Sequence, residues 1–221
     1  MTAATAPAIP GLHRRKDGSL SLTVEYGGGV ISPAILAAAA RVAETHQARI
    51  HFTVAQKLML LGLDDTTGPL ALAALEQAGA TVRKARQLSQ PRVCVGQPAC
   101  PMALQETFAF ADKLYENLGR MPIPPKIKVS VSGCPACCSW ANLADIGFIG
   151  QRYGFKVLIG GHGGYRPRVG EEAGRVTTAA EAVEVLRRAT ELFCRETEKR
   201  GRMSRVVQAL GMETIKQELG F

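Results

Sequence analysis

The residues best suited to chemistry are four cysteines in two short clusters. Cys94-Val-Gly-Gln-Pro-Ala-Cys100 is a C-x5-C pair, and Cys134-Pro-Ala-Cys137-Cys138 contains a C-x3-C pair. Each cluster lies in a Gly/Pro-rich turn, where backbone N–H groups can point at a bound anion. Four thiolates held by turns suit a cubane iron–sulfur cluster, because each of its four irons needs one outside ligand. Structural zinc is the rival: its pairs run C-x2-C to C-x4-C, which fits Cys134 and Cys137 but not the C-x5-C. Disulfides belong to secreted scaffolds, and nothing in Met1–Gly18 forms the apolar core of a leader; His13-Arg14-Arg15-Lys16 is charge with no apolar segment behind it. Spacing alone ranks iron–sulfur ahead of zinc and inert core thiols third, and leaves all three open. Cys137 reads as a free thiol beside the pair, and Cys194 as a core residue of a helix.

Composition narrows the partners. The chain has 221 residues, enough for one domain or two small ones, and is 46% hydrophobic. It contains no apolar run long enough to span a bilayer, so a membrane protein is not expected and a cytoplasmic one is. With 27 basic against 19 acidic residues the formal charge is +8, which favours anionic partners. Nucleic acid is disfavoured: aromatics are only 5%, with no base-stacking platform and no helix-turn-helix or zinc-finger spacing.

Periodicity supplies the frame that must hold the cysteines. Residues 1–18 read as an irregular arm. Leu20–Val24 alternates as a strand, Ser32-Pro33 opens a helix to about His46, and Arg49–Thr53 alternates again. A helix from Gly68 to about Gln77 and a strand over Ala80–Arg86 complete a β-α-β-α-β unit, residues 19–88, with a ferredoxin-like arrangement as the natural expectation. The second unit, 89–221, is α/β. It carries a helix over Ala103–Leu118 and a strand over Lys126–Val131 leading into the second cysteine cluster. Strands at Ile146–Ile149 and Phe155–Gly160 follow, then helices over Thr178–Lys199 and Met203–Leu219, the latter broken near Gly211. The fold class is therefore α+β.

The ordered set then resembles a known family. The C-x5-C, the C-x3-C, the strand Lys126-Ile-Lys128 running into Ser132-Gly133-Cys134-Pro135, and Asp145-Ile-Gly-Phe-Ile-Gly150 with Gly160-Gly161-His162-Gly163-Gly164 are similar to those of siroheme-dependent sulfite and nitrite reductases. Gly29-Val-Ile-Ser-Pro33 and Thr53-Val-Ala-Gln56-Lys57 look like that family's ferredoxin-like half domain, and Arg202-Met-Ser-Arg205 with Leu210-Gly211 also fits. The resemblance covers about residues 18–219. It implies that Cys94, Cys100, Cys134 and Cys138 hold a [4Fe–4S] cluster in a siroheme-binding domain, with Cys138 shared with the siroheme iron. It implies six-electron reduction of sulfite to sulfide, with nitrite to ammonia as a second reaction.

Siroheme is a polycarboxylate and sulfite an anion, so both call for cations. Lys126 and Lys128 alternate onto one face of their strand and are expected at the substrate, with Arg83 and Lys57 as further catalytic candidates. Gln56, Lys57, His162, Gly163, Arg166 and Arg168 are the cofactor-binding candidates. One departure stands out: many members carry arginine where this chain has Ala55, so Lys57 is expected to take over that contact. Size is the other. Full-length members pack two related halves around siroheme, and this chain holds one, so either a second copy completes a homodimer or the haem stays open. With no GxGxxG fingerprint, electrons are expected from a small acidic carrier such as ferredoxin. The competing function is an iron–sulfur electron carrier or siroheme-handling protein without reductase activity, a reading that Ala55 keeps alive.

Overall fold

The computed structural model describes residues 9–83, 88–119, 127–197 and 201–221. These divide into two compact units that part between Arg83 and Leu88.

Unit 1 is an antiparallel sheet with two helices on one face. Its elements are β1 (Leu12–Arg14), β2 (Leu20–Glu25), α1 (Pro33–Thr45), β3 (Arg49–Phe52), β4 (Leu58–Leu63), α2 (Thr67–Gln77) and β5 (Thr81–Val82), with sheet order β1-β2-β4-β3 and β5 on the far part of β2. The cap expected at Ser32 is present: its hydroxyl accepts the Ile35 N–H at 3.2 Å, and Pro33 follows at the first helical position. Leu20, Leu22 and Val24 of β2 with Leu58, Leu60 and Leu63 of β4 face α1 and α2 and form the core. Two strands escaped the sequence reading. β4 lies in an unalternating apolar run, Leu58-Met-Leu-Leu-Gly-Leu63, and β1 falls in the segment read as an arm. There Leu12 to Arg14 pair with Leu22 to Leu20.

Unit 2 is a mixed five-stranded sheet, order β10-β9-β8-β7-β6. Its elements are β6 (Arg92–Val93), α3 (Phe108–Leu118), β7 (Val129–Ser132), β8 (Ile146–Gly150), β9 (Phe155–Ile159), β10 (Glu171–Val176), α4 (Ala179–Glu196), α5 (Met203–Leu210) and α6 (Met212–Leu219). β6, β7 and β8 run parallel and the other pairs antiparallel. Val129, Val131, Ile146, Phe148, Val157 and Ile159 point to one face and pack on α3 and α4. There Phe110 stacks on Phe155 at 3.9 Å and meets Phe148 edge-on at 5.5 Å. The helix expected from Ala103 begins only at Phe108, because Leu104 and Gln105 donate their N–H groups to Gly133 and Glu106 caps the N–H groups of Phe108 and Ala109. β10 was missed, its Glu171-Glu-Ala-Gly sequence lacking a strand's apolar alternation.

Asp145, at the entry to β8, is a buried charge. Its Oδ2 accepts the Lys128 N–H at 3.0 Å and lies 4.0 Å from Arg202, while Oδ1 has no hydrogen-bond partner. Burial pushes the carboxyl above its ordinary range, against the opposing pull of the Lys128 and Met203 N–H groups and Arg202. A folded pKa above the unfolded value contributes stability below the unfolded value, and that contribution is lost as pH rises through the folded value. Asp145→Asn removes the loss. Urea midpoints taken from about pH 4 to about pH 7 should show the variant gaining on the parent as pH rises, and a constant offset would show that the carboxyl titrates normally.

Candidate functional site

The cysteines are gathered by parallel strand pairing. β6 and β7 run side by side, with Val93 opposite Val131, so their carboxyl ends deliver Cys94 and Cys134 to one edge of the sheet. The Cys94 N–H continues the ladder to the Val131 carbonyl at 3.1 Å. Gly133 then joins the two turns. Its N–H donates to Cys94 Sγ at 3.0 Å, and its carbonyl accepts from Leu104 at 2.8 Å and Gln105 at 3.1 Å. Thr107, fully buried, holds the first turn by donating to the Cys94 carbonyl at 2.7 Å. Cys100 closes that turn with a 2.8 Å bond to the Gly96 carbonyl.

Two glycines of Asp145-Ile-Gly147-Phe-Ile-Gly150 explain why the motif has its form. A Cβ on Gly150 would stand 2.3 Å from the Gly133 carbonyl oxygen, and one on Gly147 only 2.0 Å from the Ala141 carbonyl oxygen. Both positions let main chain lie directly on β8. On the face opposite the helices, the Gly147 contact lets the segment from Cys134 to Ala144 cross the sheet. Cys137, Ala141, Ile149 and Leu158 make a small apolar cluster beneath it.

A serine network fastens the same crossing and was not foreseen. Ser139 Oγ lies 2.6 Å from Ser132 Oγ and 3.0 Å from Ser130 Oγ, and also meets the Val131 carbonyl at 2.8 Å. Ser130 Oγ also donates to the Ser139 carbonyl at 2.8 Å. All three are buried. The signal was the period-two Ser130-x-Ser132 on a strand with valines between, which marks a polar face that something must satisfy.

The adjacent thiols Cys137 and Cys138 differ. Cys137 takes a left-handed φ of 57° and turns its sulfur onto Asn142, 3.4 Å from that N–H, whereas Cys138 is exposed. Arg92, also unforeseen, stacks 5.6 Å over the Trp140 ring beside this turn. Among the described residues no three His, Cys, Asp or Glu side chains converge as ligands of a single metal ion do. A cubane makes a different demand, one thiolate at each of four separate irons. Four unbridged thiols on two turns locked to each other, one sulfur already accepting a main-chain N–H, fit that demand.

The cation candidates scatter. Lys128 is exposed, but it precedes β7 while Cys134 follows it, about 20 Å apart along an extended strand. Between them the serine face of β7 is covered by the segment that carries Ser139. Lys126 lies outside the described residues. His162 and Arg168 exchange main-chain hydrogen bonds of 2.9 and 2.8 Å that close the loop holding Gly163 and Arg166. Gly170 ties that loop to the Asn142 carbonyl at 2.9 Å, and Gly160 to the Asp145 carbonyl, so the loop gathers at the Lys128 end of the sheet. His162 Nδ1 is buried without a hydrogen-bond partner, and Arg168 is paired with Glu171 at 2.6 Å.

In unit 1, Gln56 takes a left-handed φ of 59° at the β3–β4 turn. Lys57 is turned inward, 2% exposed, with its ammonium 2.9 Å from buried Glu25. Burial lowers the Lys57 pKa and Glu25 opposes the fall. Arg83 Nε lies 3.7 Å from the same carboxylate and its side chain stays half-exposed.

Comparison with known proteins agrees with this geometry. The nitrite and sulphite reductase 4Fe-4S domain matches residues 84–220, and the nitrite/sulfite reductase ferredoxin-like half domain matches residues 13–78. An assimilatory-type sulfite reductase of Nitratidesulfovibrio vulgaris is 30% identical over 193 residues, covering 86% of this chain and 87% of the relative. A ferredoxin sulfite reductase of Mycobacterium tuberculosis is 32% identical over 170 residues, 69% of this chain but 30% of its own length. An NAD(P)H nitrite reductase of Emericella nidulans is 27% identical over 91% of this chain and 19% of its own. The chain thus spans most of the small relative and under a third of the large ones. The structure of the Mycobacterium tuberculosis NirA protein superposes with a TM-score of 0.76 at 26% identity, over 93% of this chain and 41% of that one.

The serine network yields a test. Ser139→Ala takes the hydroxyl partner from Ser132 Oγ, which keeps only the Ser139 N–H, while Ser130 keeps the Ser139 carbonyl; a buried hydroxyl left short of a partner costs about 1–3 kcal/mol. The variant should lose that much in urea unfolding and bind less iron per chain on anaerobic reconstitution, while unchanged iron content would show that the crossing segment holds itself.

Proposed function

Because the chain belongs to the nitrite and sulphite reductase family, we propose that it reduces sulfite to sulfide in a six-electron reaction, with nitrite to ammonia as a second activity. The observation that carries this reading is the locked pair of cysteine turns, in which Gly133 hydrogen-bonds Cys94 Sγ and Cys138 alone of the adjacent thiols faces outward. Cys94, Cys100, Cys134 and Cys138 would hold the [4Fe–4S] cluster, and Cys138 would be shared with the siroheme iron. When bound, this coupled centre supplies the electrons, and its iron holds the anion.

The chain's own side chains do the rest. Sulfite loses each oxygen as water, which needs protons delivered at that oxygen and positive charge to hold the anion. Lys128, an exposed ammonium on the serine face, is assigned to that work, with Lys126 beside it in sequence. His162, Gly163, Arg166 and Arg168 are assigned to the cofactor's carboxylates. In unit 1, Arg83 and Gln56 are assigned to anionic groups, and Lys57 supports Arg83 through their common carboxylate Glu25. The Lys57 ammonium and the Arg83 guanidinium both lie against the Glu25 carboxylate. A small acidic carrier such as ferredoxin as donor, a second copy as partner, and a cytoplasmic setting complete the reading.

The second reading is an electron carrier or siroheme-handling protein without reductase activity. It is favoured by Ala55, and by the engagement of the Lys57 ammonium with Glu25 rather than with the turn that Gln56 shapes.

Two measurements decide. Anaerobically purified protein should show siroheme bands and about five irons per chain, four in the cluster and one in the haem, and reduce sulfite with reduced methyl viologen. Siroheme bands or a cluster spectrum without sulfite reduction would establish the second reading. In active protein, Lys128→Ala should lower kcat/KM for sulfite by about a hundredfold with the spectrum retained, and full activity in the variant would remove Lys128 from the site. Cys138→Ser should perturb both the cluster and haem bands, whereas Cys137→Ser should leave them in place.

A further inference from the structure

Arg92 stands beside the cysteine turns with no carboxylate to meet it. It lies on β6 opposite Ser130, on the serine face of the sheet, while Val93 turns to the core. Residues two apart on a strand share a face, so Arg92 and Cys94 project to the same side, about 7 Å apart along the backbone. The Arg92 guanidinium lies 5.6 Å over the Trp140 ring, and its Nη2 reaches the Trp140 carbonyl at 3.5 Å. Trp140 follows Cys138 by two residues. One side chain is thus tied to both cysteine clusters. We propose that Arg92 is a fixed positive charge of the cysteine site, clamped by Trp140, which makes the cluster held there easier to reduce.

The local structure is built to keep the charge in place. Trp140 takes a left-handed φ of 57°, a conformation that a bulky side chain rarely adopts, and half of its surface stays exposed. That turn brings the indole to the guanidinium rather than to the core, and strain of this kind points to a use. The main chain is fastened as well. Ser130 Oγ donates to the Arg92 carbonyl at 3.2 Å and to the Ser139 carbonyl at 2.8 Å. Ser130 therefore joins β6 to the segment that carries Trp140, and the stack joins the side chains of the same two segments.

Electrostatics favour the same role. Arg92 is half-buried, and burial pulls its pKa down while the nearby Cys137 sulfur opposes the fall. The guanidinium stays protonated at any working pH. Among the described residues no carboxylate pairs with it, whereas Arg168, Arg175, Arg187, Arg188 and Arg195 of the same unit each meet a glutamate. A half-buried cation without a counter-ion calls for an anion. Four thiolates around a cubane provide one, and reduction makes it more negative. The cation attracts the reduced form more than the oxidised form, and the indole keeps water from one side of the guanidinium, so the attraction is less screened. In the step concerned, a reduced one-electron carrier passes one electron to the cluster, with no bond or proton changed at Arg92. The inference rests on the cluster reading above.

The test is a potentiometric titration of the full chain, purified anaerobically with its cofactors, followed by electron paramagnetic resonance of the reduced cluster. Arg92→Met removes the charge and keeps an unbranched apolar stem over the indole. It should shift the balance of reduced to oxidised cluster at least about tenfold toward oxidised, a midpoint lower by about 59 mV for one electron, with iron per chain unchanged. Arg92→Lys keeps the charge and should stay closer to the parent. If Arg92→Met fails to fold, Trp140→Ala, which releases the guanidinium to solvent, should move the midpoint in the same direction. An Arg92→Met midpoint equal to the parent's, an Arg92→Lys midpoint lowered as far as that of Arg92→Met, or a Trp140→Ala midpoint unmoved would overturn the proposal. Iron content keeps the two readings apart. A parent without iron or a reducible signal sinks the cluster reading and this inference together, and a reducible cluster indifferent to residue 92 sinks this inference alone.

Discussion

The peptide at Gly133 is the point on which the second unit depends. Its N–H is given to Cys94 Sγ and its carbonyl to the N–H groups of Leu104 and Gln105, so one residue fixes both cysteine turns. Side chains could not do this as well. A main-chain donor and acceptor on one residue, in the two peptide planes that meet at its Cα, set two directions at once without the rotamer entropy of a long polar side chain. Gly133 reaches both turns because β8 presents Gly150 beneath it, where any side chain would collide with the Gly133 oxygen. The two cysteine turns are thus fixed to each other from three strands, β6, β7 and β8.

The two faces of this sheet divide the labour. Valine, isoleucine and phenylalanine on one face bury against α3 and α4 and supply the stability. Serine and glycine on the other face supply almost none. They make room and hydrogen bonds for a main-chain segment that carries Cys137, Cys138 and Trp140. Such a face is tolerable only when every hydroxyl is satisfied, and Ser139 meets that condition by bonding to Ser130, Ser132 and the Val131 carbonyl together. Stability and site construction are therefore separated by strand parity, residue by residue.

That separation explains what could be read in the sequence and what could not. The Ser32 cap and the alternation of β2 and β3 are local signals, and they led to elements where they stand. β4, β10 and the serine network are visible only through their partners. Leu58–Leu63 is a strand because β2 and β3 flank it, not because it alternates. The start of α3 slipped from Ala103 to Phe108 because Gly133, distant in the chain, claims the N–H groups of Leu104 and Gln105. Charge was the least legible quantity. A strand carrying Lys126 and Lys128 into Ser132-Gly-Cys134 suggests cations beside the thiols, yet extended chain puts Lys128 at the far end of β7 from Cys134.

The same reasoning bears on Ala55 and Lys57. In sequence they look like a cation moved along by two positions. In the fold the move changes the direction of the side chain: Gln56 takes a left-handed conformation, and the Lys57 ammonium runs inward to Glu25. Burying an ammonium is expensive unless a carboxylate meets it, so Lys57 and Glu25 support each other's presence. What faces outward from this group is Arg83, half-exposed and sharing the same carboxylate. A lysine can be drawn in this way because its charge is compact and its stem apolar, whereas a guanidinium stays better suited to the fork of a carboxylate or sulfite at the surface. The outward positive charge of this group is then presented by Arg83, which follows β5, and not by the residue that follows Gln56.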